Sequence, residues 1–487
     1  MKHTLTFITV AVLLLIVVGG CGTSPVQVKR ATDTLTIYPD YTDIAIPYNI
    51  APLNFLVRNA DVQQMEVTVR GTGDSLTVKG DREVRFPPRK WKRLLDAAKG
   101  SRLKVTVALK INGEWFSYPP FHWDIISQPI DRYLSYRAIE PGYEVWNALQ
   151  LRERDLETFD ERVLADNNLI EGSCMNCHTY DGKRKEHSFF HLRGAKGGTV
   201  LNVDGKLRKL RLKTDGMVAA AVYGELHPSG RYGVFSTNII IPGFHAADSK
   251  RLEVYDTKSD LLLADLVNNR ILSSPVVADT LQLETFPVFS AEGDRVYFCT
   301  APMVALPDSI HQLKYSLCSI AFDAATGTWG NKVDTLWNAR LTGRSVCHPK
   351  VSPDGKYLLY TVADFGTFPI WHRETDLQLM NLQTGETNVL AAVNSDLSDT
   401  YHSWSSDGGW FVFASKRGDG MYGKPYFAYI NPNGQAGKAF VLPQEDPAFY
   451  DFTLKSFNIP ELSQKSYPFS ATDIEKLYFE TEAERFE

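Results

Sequence analysis

The sequence is poor in cysteine, carries little net charge and lacks the short motifs of several enzyme classes. Six cysteines occur in 487 residues, and the formal net charge is −5. A charge this small gives no sign of a nucleic-acid partner or of an anionic membrane surface. The GxSxG, HExxH and P-loop signatures are absent, so hydrolase chemistry has no positive support. Enzymatic activity is left open, and the sequence inclines toward none.

The N-terminus has the pattern of an export signal. Lys2 precedes the apolar run TLTFITVAVLLLIVV, which ends at two glycines and Cys21. Such a run is typical of a secretory signal peptide. The cysteine after VGG resembles the lipobox of bacterial lipoproteins. Residues 1–20 are therefore predicted to be a lipoprotein signal peptide, Cys21 the lipid-attachment site, and residues 21–32 a tether. The resemblance implies the bacterial cell envelope, facing the periplasm and anchored in the outer membrane. An uncleaved anchor with an incidental cysteine is the alternative.

The other five cysteines do not suggest a disulfide framework, because an odd number cannot all pair within the chain. Cys299 and Cys318 lie on neighbouring predicted strands and are candidates for a bridge. Cys347 is expected to pack as a small buried side chain. The remaining two, Cys174 and Cys177, belong to a distinct motif.

Short alternating strands dominate the chain, which indicates an all-β fold. Residues 33–126 hold several such strands and one segment of helical spacing, KWKRLLDAA at 90–98, and are predicted to form a small β-sandwich. Residues 461–487 are predicted to be a C-terminal tail with a helix, which Ser470 and Asp473 would cap.

A turn-and-strand unit recurs from about residue 220 onward. The segments are HPSGRYGVFSTN at 227, FSAEGDRVYFCT at 289, VSPDGKYLLYTV at 351 and WSSDGGWFVFAS at 404, with turn glycines 63, 62 and 53 residues apart. Units of this spacing are typical of β-propeller blades. Residues 128–460 are therefore predicted to form a β-propeller of six blades, with seven as the alternative. Residues 129–163 and 187–214 would supply two degenerate blades.

The segment GSCMNCHTY at 172–180 contains the pattern Cys-x-x-Cys-His. Two thiols three positions apart, followed directly by an imidazole, suit covalent attachment of haem c. Cys174 and Cys177 would then form the thioethers, and His178 would be the proximal iron ligand. Zinc is an alternative, with His187 and His191 completing a tetrahedral site from one face of a helix. A disulfide or redox dithiol is the third interpretation.

Several segments together resemble a known family. SPDGKYLLYT, CMNCH, FHLRG, YHSWSSDG and DPAFYDFTLKSFNIPEL are similar to segments of exported TolB-like proteins, which have WD40-like (PD40) propeller repeats and carry a c-type haem motif. The resemblance covers about residues 128–480 and implies electron transfer or redox sensing. A TolB-like protein-binding scaffold, held at CxxCH by zinc or a disulfide, and a haem peroxidase-like enzyme are the alternatives. The channel face of the propeller is the expected site for a protein partner.

The resemblance also implies a set of residues around the haem, within 172–194. His191, in the FHLRG segment, is the preferred distal iron ligand, and His187, Met217 or water are the alternatives. Arg193 is expected to pair with a haem propionate.

Overall fold

The computed structural model describes residues 28–140, 148–170, 173–180, 187–244 and 252–487. The predicted signal peptide and the lipid-attachment residue Cys21 lie outside these ranges. The described residues are mostly in β-strands, with few and short helices, so the prediction of an all-β fold is confirmed. Among them, no helix combines the length and the apolar character needed to cross a membrane.

The N-terminal region, residues 28–126, contains a seven-stranded and a three-stranded sheet. The larger sheet has the order β1-β9-β8-β10-β3, with β5 and β6 paired beside β8, and the smaller has the order β2-β4-β7. The elements are β1 (Val28–Arg30), β2 (Ile37–Tyr38), β3 (Ile44–Pro47), β4 (Phe55–Val57), β5 (Val62–Arg70), β6 (Ser75–Gly80), β7 (Glu83–Val84), α1 (Pro88–Ala97), β8 (Arg102–Ile111), β9 (Glu114–Ser117) and β10 (Phe121–Ile126). Helix α1 lies where helical spacing predicts it and buries Trp91, Leu94 and Leu95.

Antiparallel sheets follow one another along the rest of the chain, and we number six of them as sheets 1 to 6. Sheet 1 begins with β11 (Tyr133–Ile139), β12 (Leu149–Asp155) and β13 (Glu161–Asp166); sheet 2 has β14 (Met175–Tyr180), β15 (His187–Leu192), β16 (Gly198–Val203) and β17 (Lys206–Arg211); sheet 3 has β18 (Ala221–Leu226), β19 (Tyr232–Phe244), β20 (Leu252–Asp265) and β21 (Arg270–Leu272). Sheet 4 has β22 (Gln282–Phe289), β23 (Arg295–Pro302), β24 (Ser316–Asp323) and β25 (Thr328–Trp337); sheet 5 has β26 (Ser345–Val351), β27 (Tyr357–Ala363), β28 (Asp376–Asn381) and β29 (Thr387–Val389); sheet 6 has β30 (Asp399–Trp404), β31 (Trp410–Ser415), β32 (Lys424–Tyr429) and β33 (Phe440–Val441).

A strand near the C-terminus completes sheet 1. This strand, β34 (Ser456–Ser463), pairs antiparallel with β11, so both ends of the six-sheet region meet in one sheet. The first strands β14, β18, β22, β26 and β30 each contact the next, and β34 contacts both β30 and β14. The six strands consequently border a common space in the middle of this region. We call them the first strands of their sheets; in sheet 1 this strand is β34.

The turn glycines of the sequence repeat lie where the spacing predicts turns. Gly230, Gly293, Gly355 and Gly408 have φ angles of 71°, 80°, 72° and 72°. Glycine adopts this left-handed conformation without the steric cost that a Cβ atom would add. In each turn the glycine N–H donates to the carbonyl three residues earlier, which closes the chain between the first and second strands of sheets 3 to 6.

The N-terminal region and sheet 6 share one apolar core. Trp91 and Trp123 of the first region belong to the same buried cluster as Trp410, Phe427 and Phe440 of sheet 6. The N-terminal region is therefore packed against the outside of the sheets, away from their common space.

The remaining helices are short. They are α2 (Ala339–Thr342), α3 (Phe449–Phe452) and α4 (Ala471–Glu480), together with 3₁₀ turns at Asn167–Leu169, Ile310–Gln312 and Pro369–Trp371; a last strand, β35 (Glu484–Arg485), pairs with β17. Helix α4 begins with the predicted capping box, in which the side chains of Ser470 and Asp473 each accept from the other's backbone N–H. Strand β34 runs across the predicted boundary between residues 460 and 461.

Candidate functional site

A cavity of about 380 Å³ occupies the space between the first strands of the six sheets, and we call it the central cavity. Each of β14, β18, β22, β26, β30 and β34 contributes lining residues. Its walls are largely apolar, from Val222, Ile240, Val254, Val288 and Phe368. Its size and composition are those of a small-molecule site.

The backbone of each first strand is irregular at the level of this cavity. In all six sheets the pairing register shifts at this point, which is the mark of a β-bulge. A bulge turns side chains away from the regular alternation of a strand. Here the bulges direct one residue of every first strand toward the cavity: Cys177, Tyr223, Phe286, His348, Tyr401 and Ile459. We call these six residues the bulge ring.

The bulge ring holds side chains in a costly conformation. Cys177, Phe286, His348, Tyr401 and Ile459 have φ angles of 56°, 51°, 52°, 48° and 55°. A residue with a Cβ atom loses roughly 1–2 kcal/mol in this region of φ. Five such residues at equivalent positions indicate backbone strain that the surrounding sheets maintain. Strain of this kind is often found at functional sites.

Aromatic contacts run along half of the bulge ring. The ring centroids of Tyr223 and Phe286 are 4.5 Å apart, those of Phe286 and His348 4.1 Å, and those of His348 and Tyr401 4.9 Å. Since each side chain packs against the next, their positions are mutually restrained. One side of the cavity is therefore a continuous aromatic surface.

The three residues of the Cys-x-x-Cys-His motif all line the central cavity. Their segment is strand β14 with its bulge. Cys174 and Cys177 are half-buried thiols, and Cys174 Sγ accepts a hydrogen bond of 2.9 Å from Asn176 Nδ2. Burial raises the pKa of Cys177 to about 11, against smaller opposite contributions from Arg137 and Arg193. Cys177 is therefore a neutral thiol at the edge of a ligand-sized space.

His178 is buried beside the cavity and neutral. Burial lowers its pKa to about 3, despite a hydrogen bond with the backbone of Ser135. Its Nε2 atom has no hydrogen-bond partner within the described part of the chain. Among the described residues, Nε2 of His348 also lacks a hydrogen-bond partner. Burial lowers the pKa of His348 well below its usual value. Two uncharged imidazoles with unpaired nitrogens consequently border the central cavity.

Charged side chains are also present in the cavity wall. Arg137 of β11 in sheet 1 and Arg193, which follows β15 in sheet 2, both line the cavity. Lys350 pairs with Glu461 at 3.4 Å. Burial raises the pKa of Glu461, and the positive charge of Lys350 partly offsets this rise. For Lys350, burial lowers the pKa and the negative charge of Glu461 raises it, with a net increase.

The predicted distal haem ligands lie elsewhere. His187, His191 and Met217 are not among the residues that line the central cavity. Both ring nitrogens of His191 are engaged, Nδ1 with Thr199 Oγ1 at 2.9 Å and Nε2 with the carbonyl of Val222. His187 lies 3.4 Å from Asp204. The structure therefore places none of the three predicted distal ligands on the cavity that the motif residues line.

The zinc interpretation requires a helix that the structure replaces with a strand. His187 and His191 lie on β15. In the described parts of the chain, no group of three or more His, Cys, Asp or Glu side chains is arranged to hold a metal ion. The candidate bridge between Cys299 and Cys318 is likewise absent there: both are buried free thiols, as is Cys347.

Sequence reasoning missed most of the bulge ring, although a signal for it exists. Tyr223, Phe286, His348 and Tyr401 each stand seven positions before the turn glycine of their repeat. The amino acid at this position differs from one repeat to the next. Alignment of the apolar strands therefore does not single the position out. Arg137, outside the clear repeats, has no comparable signal.

No protein-family model and no curated protein sequence matches the chain. Among solved structures it is similar to a puromycin hydrolase, with a TM-score of 0.37, 10% identity and coverage of 64% of this chain and 45% of the other. A puromycin-hydrolysing peptidase of Mycobacterium tuberculosis has a TM-score of 0.36, 11% identity and coverage of 82% and 57%. The tricorn protease has a TM-score of 0.36, 10% identity and coverage of 82% and 43%. The chain spans about half the length of the two puromycin-hydrolysing proteins.

The family predicted from the sequence is wrong. The three similar structures named above are a puromycin hydrolase, a peptidase and a protease, and none of these three is a TolB-like lipoprotein with a haem motif. Electron transfer and redox sensing, which depended on that resemblance, are wrong with it, and the scaffold held by metal or disulfide and the peroxidase-like enzyme are unsupported. At these TM-scores and identities, the peptidases transfer no activity to this chain. Covalent haem c at Cys174 and Cys177 stays an untested prediction.

Proposed function

We propose that sheets 1 to 6 are the blades of a six-bladed β-propeller, and that the central cavity binds a small, partly apolar molecule. The pairing of β34 with β11 supports this architecture, because it joins the two ends of the region in one blade. The sequence of contacts among the six first strands supports it as well. Closure of this kind protects strand edges and leaves a channel where the first strands meet.

One observation carries the proposed binding function: unpaired polar atoms surround the cavity. Nε of Arg137 and the Nε2 atoms of His178 and His348 are buried and have no hydrogen-bond partner among the residues that the structure describes. Each such atom costs about 1–3 kcal/mol when it is left unsatisfied. A bound molecule with polar groups offsets this cost, and the apolar walls accommodate the rest of it.

The cysteines of the cavity provide a direct assay for occupancy. Cys174 and Cys177 are half-buried in the cavity, whereas Cys299, Cys318 and Cys347 are buried in the sheets. We expect iodoacetamide to alkylate the first two in the folded protein, as identified by peptide mapping. Saturating 1-naphthaleneethanol, an apolar probe with one hydroxyl, should slow their alkylation and bind with a stoichiometry of one.

Two neighbouring positions of β19 give a matched pair of variants. Ile240 lines the cavity, and Ile241 is 40% exposed and does not. Ile240→Trp should fill the cavity and abolish both binding and protection, while Ile241→Trp should leave them intact. Equal binding by the two variants would place the probe elsewhere and overturn the proposed site.

A lipid anchor remains part of the proposal. Attachment at Cys21 would hold the propeller at the bacterial cell envelope, facing the periplasm, and would leave the channel face open to a protein partner. Mass spectrometry of the mature N-terminus tests this: a diacylated or triacylated Cys21 is expected, and a chain that retains residues 1–20 would contradict it.

A further inference from the structure

Charge distinguishes the central cavity from the rest of the molecule. Its charged lining residues are Arg137, Arg193, Lys350 and Glu461. Lys350 and Glu461 form a pair, so the two arginines leave the cavity with a surplus of two positive charges. The whole chain, by contrast, carries −5. The cavity is therefore a cationic site within an acidic protein.

The two arginines lack the carboxylate partners found elsewhere. Within the described ranges, neither Arg137 nor Arg193 forms an ion pair, and Nε of Arg137 is buried without any hydrogen bond. Half-buried arginines elsewhere in the sheets are matched, for example Arg162 with Glu153 at 2.7 Å and Arg417 with Asp399 at 2.8 Å. An unmatched guanidinium in such a place is suited to a carboxylate supplied from outside.

Both guanidiniums border the same part of the chain. Arg137 belongs to β11 of sheet 1 and Arg193 follows β15 of sheet 2; both line the central cavity together with Cys177, whose thiolate both arginines favour electrostatically. The aromatic part of the bulge ring, Tyr223, Phe286 and Tyr401, lines the same cavity. The cavity thus offers two donors for an anion beside a surface for an apolar ring.

We propose that the central cavity selects an organic carboxylate with an aromatic or apolar body, whose carboxylate group lies between Arg137 and Arg193. The inference rests on the proposed binding function and gives it a ligand class. The aromatic half of the bulge ring packs on the body of the ligand, and the guanidiniums bind its charged end. Selection arises because the neutral analogue leaves both guanidiniums unmatched.

The test compares two probes that differ in charge, 1-naphthylacetate and 1-naphthaleneethanol, by calorimetric titration of the full protein. The carboxylate should bind about tenfold more tightly or better at low salt, since charge-assisted hydrogen bonds replace neutral ones. Its advantage should shrink as salt is raised, because the mouth of the cavity at Arg193 is exposed. The affinity for the alcohol should not depend on salt.

Variants assign the charge preference to the two arginines. Arg137→Gln and Arg193→Gln should each weaken 1-naphthylacetate binding about tenfold and reduce the preference for the acid over the alcohol. Arg137→Lys should retain part of the preference, since it keeps the charge but not the planar fork. Arg340→Gln, on the exposed helix α2, is the control and should change neither affinity. Circular dichroism verifies that each variant folds. If Arg137→Gln does not fold, Arg193→Gln still tests the charge preference, because Arg193 is exposed.

The outcomes separate the two proposals. Equal affinities for the acid and the alcohol, both lost in Ile240→Trp, would overturn the carboxylate preference and leave the binding function standing. A charge preference that survives both arginine variants would also overturn the inference. Failure of both probes to bind the cavity would overturn the binding function and the inference together.

Discussion

The N-terminal region and the six-sheet region treat their buried polar atoms differently. Throughout residues 28–126, all of which the structure describes, every buried side-chain nitrogen and oxygen has a hydrogen-bond partner. Trp91 Nε1 donates to the carbonyl of Ile50 at 2.9 Å, and Trp123 Nε1 donates to that of Tyr41 at 2.7 Å. The unpaired buried atoms begin at Arg137 and lie entirely within the six-sheet region.

This contrast separates a region that stabilises the protein from one that binds. In an apolar core whose buried polar groups are all hydrogen-bonded, no group is left for a ligand to pair with. Such a core contributes to stability and does not require a bound molecule. The six-sheet region keeps costly unpaired groups and left-handed residues around its cavity. Such costs persist where a site is pre-organised for a ligand. The variants below test this division, from the largest expected effect to the smallest.

Trp123→Ala should have the largest effect on stability. Trp123 is fully buried, contacts the rings of Phe86, Trp91 and Phe121, and lies in the core shared with sheet 6. We expect the free energy of unfolding in urea to fall by about 3–5 kcal/mol. Trp123→Phe, which keeps most of the contact, should lose less. Binding of 1-naphthylacetate by the folded variant should be unchanged, and a large loss of affinity would contradict the division between the two regions.

Asp256→Asn should stabilise the protein, with a clear dependence on pH. Asp256 of β20 is fully buried. Among the described residues neither carboxylate oxygen has a partner at good hydrogen-bond geometry, although the side chain of Asn238 is close enough to act on Asp256. Burial raises its pKa from 3.8 to about 7, against a smaller opposite effect of Asn238. Between about pH 4 and 7 the folded state therefore holds a proton that the unfolded state has lost, so the stability falls as pH rises through this window.

The neutral amide of Asp256→Asn removes this loss. The free energy of unfolding at pH 8 should rise by about 4 kcal/mol, because the pKa rises from 3.8 to about 7 and each unit corresponds to about 1.4 kcal/mol. At pH 4 the variant and the wild type should agree, which makes the acidic measurement the control. A difference that is the same at both pH values would show that Asp256 acts through packing and not through its charge.

The reactivity of Cys177 should report how strongly the cavity disfavours charge. With a pKa of about 11, its thiolate fraction at pH 8 is roughly one in a thousand, and the rate of alkylation should rise about tenfold per pH unit up to that value. Cys174→Ser isolates the reaction of Cys177. Arg137→Gln should slow it further, because the arginine favours the thiolate. A rate that levels off near pH 9 would show an ordinary, solvated thiol.

Ser470→Ala should have the smallest effect. The side chain of Ser470 accepts from the backbone N–H of Asp473 and begins helix α4. Loss of such a cap costs about 1 kcal/mol. Thr472→Ala, at an exposed position of the same first turn, is the control and should cost less. An equal loss in both variants would attribute the effect to the turn as a whole and not to the cap.

Local features of this protein were predictable because neighbouring residues determine them. The all-β class follows from the alternation of the strands, the four turns from Gly230, Gly293, Gly355 and Gly408, and the helix cap from Ser470 and Asp473. Helix α1 follows from the spacing of Trp91, Leu94 and Leu95. The Cys-x-x-Cys-His motif was recognisable as a site, and its three side chains do line the central cavity.

Interpretations that joined distant parts of the chain were less successful. His191 was assigned to haem through a resemblance, whereas its ring is occupied by Thr199 and Val222. The zinc interpretation assumed helical spacing for His187 and His191, yet they lie on a strand. Spacing alone does not state which secondary structure a short segment adopts, because tertiary packing overrides local preference.

The sequence by itself determined the strands, the turns between them and the presence of a chemically distinctive motif. Only the tertiary structure decided what that motif faces. Arg137, Cys177, His348 and Tyr401 are separated by up to 264 residues (401 − 137) and line one cavity, because the bulged first strands and the neighbouring β11 border the same space. The reason is geometric: each of the six sheets contributes at least two residues to the cavity wall, so no single stretch of sequence contains the site.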